Sequence, residues 1–533
     1  MKQLILCSIL TLIISSCNRD QLEVINSNDP TFDALNTEAG LTALASGVYL
    51  SGVDSDDDPF IDYDFTWRVQ AFHESMADAI YISAGNFGFR WANQPTSITL
   101  DDGTVVTPPQ EGPQPQALRV RNVRTQIEGN AFAHEWMTMY KTNNLANHIL
   151  NLADQVEITI DEDLKRKSLK AWAYFWKGYA YSRIGSMYTS GLIVSVPDET
   201  NTDYVSRERM IEEAAVNFDA AIEQINAIDG EISGFMSTII PEAFDPTSFR
   251  GNSPSTLLTK DMWIRNINTL KARNLLVNKK VDEMMMSDWD EIQTLTNSGM
   301  LAGDFIFVVK QDGVNFNINT NVPIRLLIGW HFLSERLVQD FKPGDQRFID
   351  NVQELDNAFV NDRGRGIQYG TRWGFIDAEY ASVEDNRTNI YYGTTYDENE
   401  LMKAEALIRT GQLESGLQII DNIRDHQNAN LDAVAGTGLT EAEAIEELRR
   451  ERRIGLLLRG VGFYDARRWG VITPVNQGGG RTGAVVLDDL GNVNTDATFN
   501  YNYLDYWDVP DQETAFGARV SSANASADNT GQK

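Results

Sequence analysis

Cysteine is almost missing from this 533-residue chain, which has only Cys7 and Cys17, both at the amino terminus. The rest of the chain is therefore expected to fold without disulfides and without thiolate metal sites, through its core alone. Histidine is nearly as scarce, with five, and none stands in a His-Glu-x-x-His zinc pattern. The nearest approach is His134-Glu135-Trp136-Met137-Thr138, where Thr138 takes the second histidine's place. There is no Gly-x-Ser-x-Gly elbow, no phosphate-binding loop and no cysteine nucleophile to mark an enzyme. Basic residues number 45 against 76 acidic ones, a net charge of −31. Such a chain repels nucleic acid and anionic membrane surfaces, so neither is expected as a partner. Past the amino terminus no apolar run is long enough for a transmembrane helix.

What is present starts with a leader. Lys2 is followed by a short apolar run, Leu4 to Ile14, and then by Ile14-Ser15-Ser16-Cys17. The run is too short to span a bilayer, and small residues before a cysteine are what a lipoprotein signal peptidase requires. Residues 1–16 read as the signal, Cys17 as the acylated anchor and 17–36 as a tether. Multiple acyl chains on one residue suffice for stable anchoring to a membrane. Residues 37–516 read as one mainly α domain and 517–533 as a disordered tail. Hydrophobic residues at 42% and aromatics at 10% give a chain of this length a substantial core.

The helical signals are strong in two regions. Helices are expected at Thr37–Leu50, Lys165–Tyr188, Arg207–Asn226 and Asp261–Asn278. In the third of the chain nearest the carboxy terminus, Asp397 with Glu400 and Thr440 with Glu443 read as capping boxes. The helix begun at Asp397 ends at Gly411 and pairs with one over Gln412–Gln427. Within Lys165–Tyr188, the residues Ala171, Tyr174, Phe175, Gly178, Tyr181, Gly185 and Tyr188 recur at helical spacing as one aromatic stripe, whose two glycines admit a neighbouring helix. Helix pairs with short turns, at a period near that of tetratricopeptide repeats, describe these regions. Between them, about 50–125 and 285–395 are loop-rich. Hairpins are expected at Ser97–Leu100 with Thr104–Val106, and at Phe305–Val309 with Val314–Ile318. The acidic run Asp54–Asp58 lacks EF-hand spacing and reads as a solvated loop, with structural calcium the only cofactor left open and no catalytic or other metal site expected.

Several ordered motifs together resemble the SusD/RagB family of outer-membrane nutrient-binding lipoproteins. They are the lipobox at Cys17; Trp136, Tyr140, Asn144 and Asn147; Lys170–Phe175 continuing to Gly185–Tyr188; and Asp345-x-Arg347. The most specific are Leu401–Arg424 and Glu451–Gly460, followed by Phe463–Gly470 and Trp507–Glu513. At Thr189 the chain departs from the family's usual tyrosine-glycine turn. The resemblance implies a SusD-like helix-pair scaffold and a non-catalytic, lipid-anchored protein on the outside of the outer membrane. It further implies a SusC-like TonB-dependent transporter as partner and, in many members, a glycan as cargo. Pyranose faces stack on indole and phenol rings while their hydroxyls need amide, carboxylate and guanidinium partners. On that ground Trp67, Tyr81, Asn86, Phe87, Arg90 and Trp91 form one candidate ligand surface, with Asn93 beside Trp91. Tyr369, Arg372, Trp373 and Tyr380 form a second. Loop packing accounts for either set equally well. A peptide-capturing member of the same uptake system and a surface glycoside hydrolase are the rival readings.

Overall fold

The computed structural model describes residues 32–50, 68–82, 88–108, 112–126, 129–240, 258–311, 331–360, 369–376 and 388–516. The lipobox with Cys17, the acidic run at 54–58, the Val314–Ile318 arm and the tail at 517–533 lie outside the described residues.

The molecule is mainly helical. Its principal helices are α1 (Glu38–Leu50), α2 (Ala131–Leu152), α3 (Glu162–Met187), α4 (Arg207–Asn226) and α5 (Lys260–Val277). They continue with α6 (Met286–Asn297), α7 (Tyr396–Arg409), α8 (Leu413–His426), α9 (Glu441–Gly455) and the short α10 (Gly462–Arg468). From α2 to α8 each helix packs on the next in the chain, which is how helix pairs build a scaffold. Helix α6 corrects the loop assigned from residue 285: it packs between α5 and α7 and belongs to the scaffold.

Helix α3 is the central element. Its first turn carries Glu162 and Asp163, which suit the positive end of the helix dipole. They pair one turn on with Arg166 and Lys167. Further along, the helix is buried on nearly every face, so the expected single stripe was too narrow: Trp172, Trp176 and Tyr179 are as buried as Phe175 and Tyr181. These rings meet Trp263 of α5, Phe307 and Tyr392, with Phe175 and Phe307 stacked at 4.6 Å. Both stripe glycines face α4. A methyl on Gly178 would lie 2.6 Å from the Phe218 ring, and one on Gly185 2.8 Å from Ile211.

Small sheets decorate the helices. The hairpin Ser97–Thr99/Val105–Val106 is present and continues into a four-stranded antiparallel sheet through Val493–Asn500 and Arg481–Leu487. Strand Val308–Gln311 pairs with Thr388–Tyr391, a partner far along the chain that local turn chemistry does not reveal. The capping box at Thr440 and Glu443 is present. At α7, however, the cap is Thr395, whose hydroxyl accepts from the Glu398 N–H; Asp397 sits inside the helix and is buried.

The resemblance motifs have concrete jobs. Tyr140, Asn143 and Asn147 on α2 hold the backbone of residues 192–194, and Asn144 bonds Asp198. Trp507 pairs with Met187 and Thr189 through the backbone, while Trp136 donates to Glu513 at 3.3 Å. Asp345, Arg347, Arg424 and Glu451 meet in one buried ion network. Arg347 pairs with Asp345 at 2.8 Å and also with Glu451, whose other oxygen accepts from Arg424 at 2.9 Å. Next to it, Arg452 and Arg468 share Asp465 at 2.8 and 2.7 Å, and Arg468 reaches Glu405 at 2.6 Å.

Replacing Glu451 by Ala removes the carboxylate shared by two buried guanidinium groups, leaving Arg347 with Asp345 and Arg424 with Glu447; breaking a buried ion network in this way costs about 3–5 kcal/mol. Urea unfolding of Glu451→Ala should show a loss of that size, and a loss under 1 kcal/mol would remove the network from the list of stability determinants. A second prediction concerns pH. Burial raises Glu74 to about 7, against the pull of the Gly460 and Leu458 N–H groups and the charges of Arg459 and Arg453. The folded state therefore keeps a proton that the unfolded chain releases near 4.5, so stability falls as pH rises from about 4.5 to 7, by about 3 kcal/mol in all. Glu405 behaves oppositely: burial alone would raise it, but Arg468, Arg452 and Arg409 lower it to about 2, so its contribution is lost only in acid. Glu74→Gln should lose the decline between pH 5 and 8 relative to wild type. Parallel urea midpoints for the two proteins across that range would refute the assignment.

Candidate functional site

A glycine opens the first candidate surface. Gly88 has φ +83°, the left-handed region that costs a glycine little, and it caps the short helix Phe89–Ala92. Along this turn the side chains divide. Phe89 and Arg90 are buried, whereas Trp91 stays half-buried at the edge of the core. The Arg121 guanidinium lies 4.3 Å from the Trp91 ring centroid, a cation–π contact that fixes the indole's orientation.

Asn93 then joins the two candidate clusters. Its amide donates to the Tyr369 hydroxyl at 3.0 Å, bridging residues 276 positions apart. Tyr369 itself is buried, with its ring against Tyr81 at 5.7 Å and Phe499 at 5.7 Å. Tyr81 lies on the ribbon Ile80–Ile82 with His331–Leu333 and packs on Phe332 and Phe359. Tyr81 and Tyr369 are thus packing residues, which corrects their assignment to an exposed ligand surface.

Arg372 and Trp373 sit on strand Thr371–Phe375, paired with Val352–Phe359. Both are half-buried and both are held by Glu335, which is almost wholly buried at the start of a short helix. Glu335 accepts from the Arg372 backbone at 2.8 Å, from its guanidinium at 2.8 and 3.0 Å, and from the Trp373 indole at 3.1 Å. The Trp373 ring also packs on Phe348 at 5.4 Å. Trp67, Asn86, Phe87 and Tyr380 fall outside the described residues. Trp91 and Trp373 remain as two half-exposed indoles with fixed orientations, each beside an arginine: an apolar plate with a cationic edge, which is what a sugar face flanked by hydroxyls requires.

Trp469 and the charged face of α9 line a cleft of about 490 Å³, together with Arg336, Asp340 and Arg481. Its signal was available in Glu446, Arg449, Arg450 and Arg453, spaced to share one helical face. Among the described residues no group of three histidine, cysteine or carboxylate side chains is placed to hold a metal ion. His134 and Glu135, the closest the sequence comes to a zinc motif, are both buried, and Glu135 is committed to Arg183 at 2.5 Å. No helix among the described residues is long and apolar enough to cross a membrane.

Replacing Glu335 by Ala strips the Arg372 and Trp373 donors of their acceptor. The expected result is a loss of at least about 2 kcal/mol in stability, the scale of lost charge-assisted bonds, with red-shifted tryptophan emission. Unchanged emission and stability would show that this surface needs no such support.

Comparison with known proteins gives a consistent picture. Residues 396–519 match the model of the SusD family. A SusD-like carbohydrate binding protein from Bacteroides fragilis shares the fold with a TM-score of 0.58 at 14% identity, over 90% of this chain and 98% of that one. A SusD-like protein from the same species gives 0.55 at 15% identity, over 91% and 97%. A SusD superfamily protein from Bacteroides vulgatus gives 0.52 at 13% identity, over 81% and 88%. No curated protein matches the sequence.

Proposed function

Because this chain belongs to the SusD family, we propose that it is a glycan-binding protein of the cell surface that hands oligo- or polysaccharide to a TonB-dependent outer-membrane transporter. In this reading Cys17 carries the lipid that holds the protein to the outer face of the outer membrane. The transporter is a SusC-like barrel, and the protein binds without catalysing. The observation that carries the proposal is that the family match covers the motif-rich carboxy-terminal region while a protein described as SusD-like and carbohydrate-binding shares the fold along nearly its whole length.

Trp91 and Trp373 are the ligand-contact residues in this reading. Arg372 contributes through its exposed edge, since Glu335 already holds the guanidinium. Arg90 is buried and is not proposed as a cargo contact. Trp67 and Asn86, which lie outside the described residues, are proposed as further contacts on the strength of their residue types.

The test is affinity electrophoresis of the chain beginning after Cys17, in gels cast with a panel of polysaccharides. One glycan should retard it, and Trp91→Ala should weaken that retardation about tenfold, since a ring contact is worth about 1–1.5 kcal/mol. Circular dichroism checks that the variant is folded. Unaltered mobility in every gel would sink glycan capture and turn attention to peptides.

A further inference from the structure

The cleft beside α9 has a charge that the rest of the chain does not. Glu446, Arg449, Arg450 and Arg453 line one wall, at successive turns of α9. Arg336, Gln339 and Asp340 face them, with Arg481 and Thr482 from the neighbouring strand and Asp465 and Trp469 from α10 and its end. Directly behind stand Asp78, which binds Arg336 at 2.7 Å and lies 3.6 Å from Arg481, and the Arg452, Arg468 and Glu405 groups that engage Asp465 or each other. Cleft and backing together hold seven guanidinium groups (336, 449, 450, 452, 453, 468, 481) and five carboxylates (78, 340, 405, 446, 465), an excess of two positive charges. The whole chain carries −31.

That excess is concentrated at particular atoms. Arg453 meets Asp340, and Arg450 meets Glu446 at 3.3 Å. Arg449 has no carboxylate in ion-pair range among the described residues; its guanidinium lies 5.2 Å from the centre of the Trp469 ring. The Nε–H groups of Arg449 and Arg481 are buried with no hydrogen-bond acceptor. Burial first, then the positive charges of Arg409 and Arg468, lower the Arg449 pKa from its ordinary value, as burial and Arg481 do for Arg453. A buried donor without an acceptor is costly, and an incoming anion would supply the missing partner.

We propose that this cleft binds the anionic group of an acidic saccharide, a uronate carboxylate or a sulfate ester, with Arg449 and Arg450 supplying charge and Trp469 the apolar wall. The proposal rests on the glycan-binding reading and names a chemical class of cargo for it. Guanidinium groups suit both anions because their paired N–H donors match two oxygens at once. The walls also carry Asp340, Glu446, Gln339 and Thr482, acceptors for the sugar hydroxyls of such a ligand. The volume falls within the range of about 300–1,000 Å³ usual for small-molecule sites.

Calorimetric titration of the chain beginning after Cys17 tests this with two matched pairs: oligogalacturonate against its methyl ester, and a sulfated galactan oligosaccharide against its desulfated form. At least one acidic member should bind ten times more tightly than its neutral partner. The pair that discriminates identifies carboxylate or sulfate as the anion. Arg449→Gln and Arg450→Gln, each checked for fold by circular dichroism, should bring the ratio towards one. Equal affinity within both pairs overturns the proposal and leaves neutral glycan capture standing. Discrimination that survives both arginine substitutions also overturns it, by placing the anion elsewhere, as does tighter binding of a polyglutamate peptide than of any saccharide. If no saccharide binds, neutral or acidic, the glycan reading fails as well.

Discussion

A carboxylate or guanidinium taken out of water loses several kcal/mol of hydration, which only a close and well-oriented counter-charge offsets. This chain buries a whole group of them where α7, α8, α9 and α10 meet the segment around Asp345. Glu451 lies between Arg347 and Arg424; Asp465 lies between Arg452 and Arg468; Glu405 holds the far side of Arg468. All eight charged residues, counting Asp345, are at most 4% exposed. An arrangement that displaced any one helix would strand a charge, so the network penalises misassembly more than it adds net stability. Arg467 extends the same logic to helix ends: its guanidinium donates to Ser186 in α3 and to Val277 in α5, satisfying carbonyls where the helix dipole is negative.

Around that junction the scaffold is fixed by polar clamps on backbone as much as by apolar packing. Lys177 donates to Asn143 and to the Val194 carbonyl at 3.2 and 3.1 Å, and the Tyr181 hydroxyl bridges Val194 from both sides. Burial lowers Lys177 to about 8, the expected direction for an ammonium removed from water. The clamp keeps the connection between α3 and α4 tight against α2. Arg273 and Glu398 tie α5 to α7 in the same way, at 2.5–2.6 Å.

Which parts of this were legible in the sequence follows from the range of the interaction that decides each one. Helix α4 was readable to the residue because its cap, Ser206, and its apolar face are local. The Thr440 box was readable because both of its partners lie within one turn. Thr395 was overlooked in favour of Asp397 because the two sequences cap equally well; tertiary burial of Asp397 decides between them. Strand Val308–Gln311 has its partner at Thr388–Tyr391, and no turn signal reaches that far. Tyr81 and Tyr369 looked like surface aromatics because irregular segments carry no periodicity to betray which way a ring points. Their burial comes from Phe332, Phe359 and Phe499, contributed by separate parts of the chain.

Helix α9 is the instructive case. Mixed charges at i, i+4 spacing normally mean a solvated face, and Glu446 with Arg450 conforms. But Glu451 and Arg452, next on the same helix, point into the ion network, so the helix is wedged between that network and the Arg336–Asp340 segment. The exposed charges of a wedged helix cannot relax freely into water. Arg453 is drawn towards Asp340 and the Asp78 carbonyl, while Arg449 is left on the face of Trp469. The cleft and the buried network are thus two sides of one helix, and the constraint that assembles the carboxy-terminal helices also gathers cationic groups on a molecule whose overall field is strongly negative. An anion approaching that cleft would cross a repulsive long-range field before meeting a local attraction. Salt screens the first over about 10 Å while leaving a partly desolvated contact largely intact, so association rate and residence time should respond to ionic strength differently.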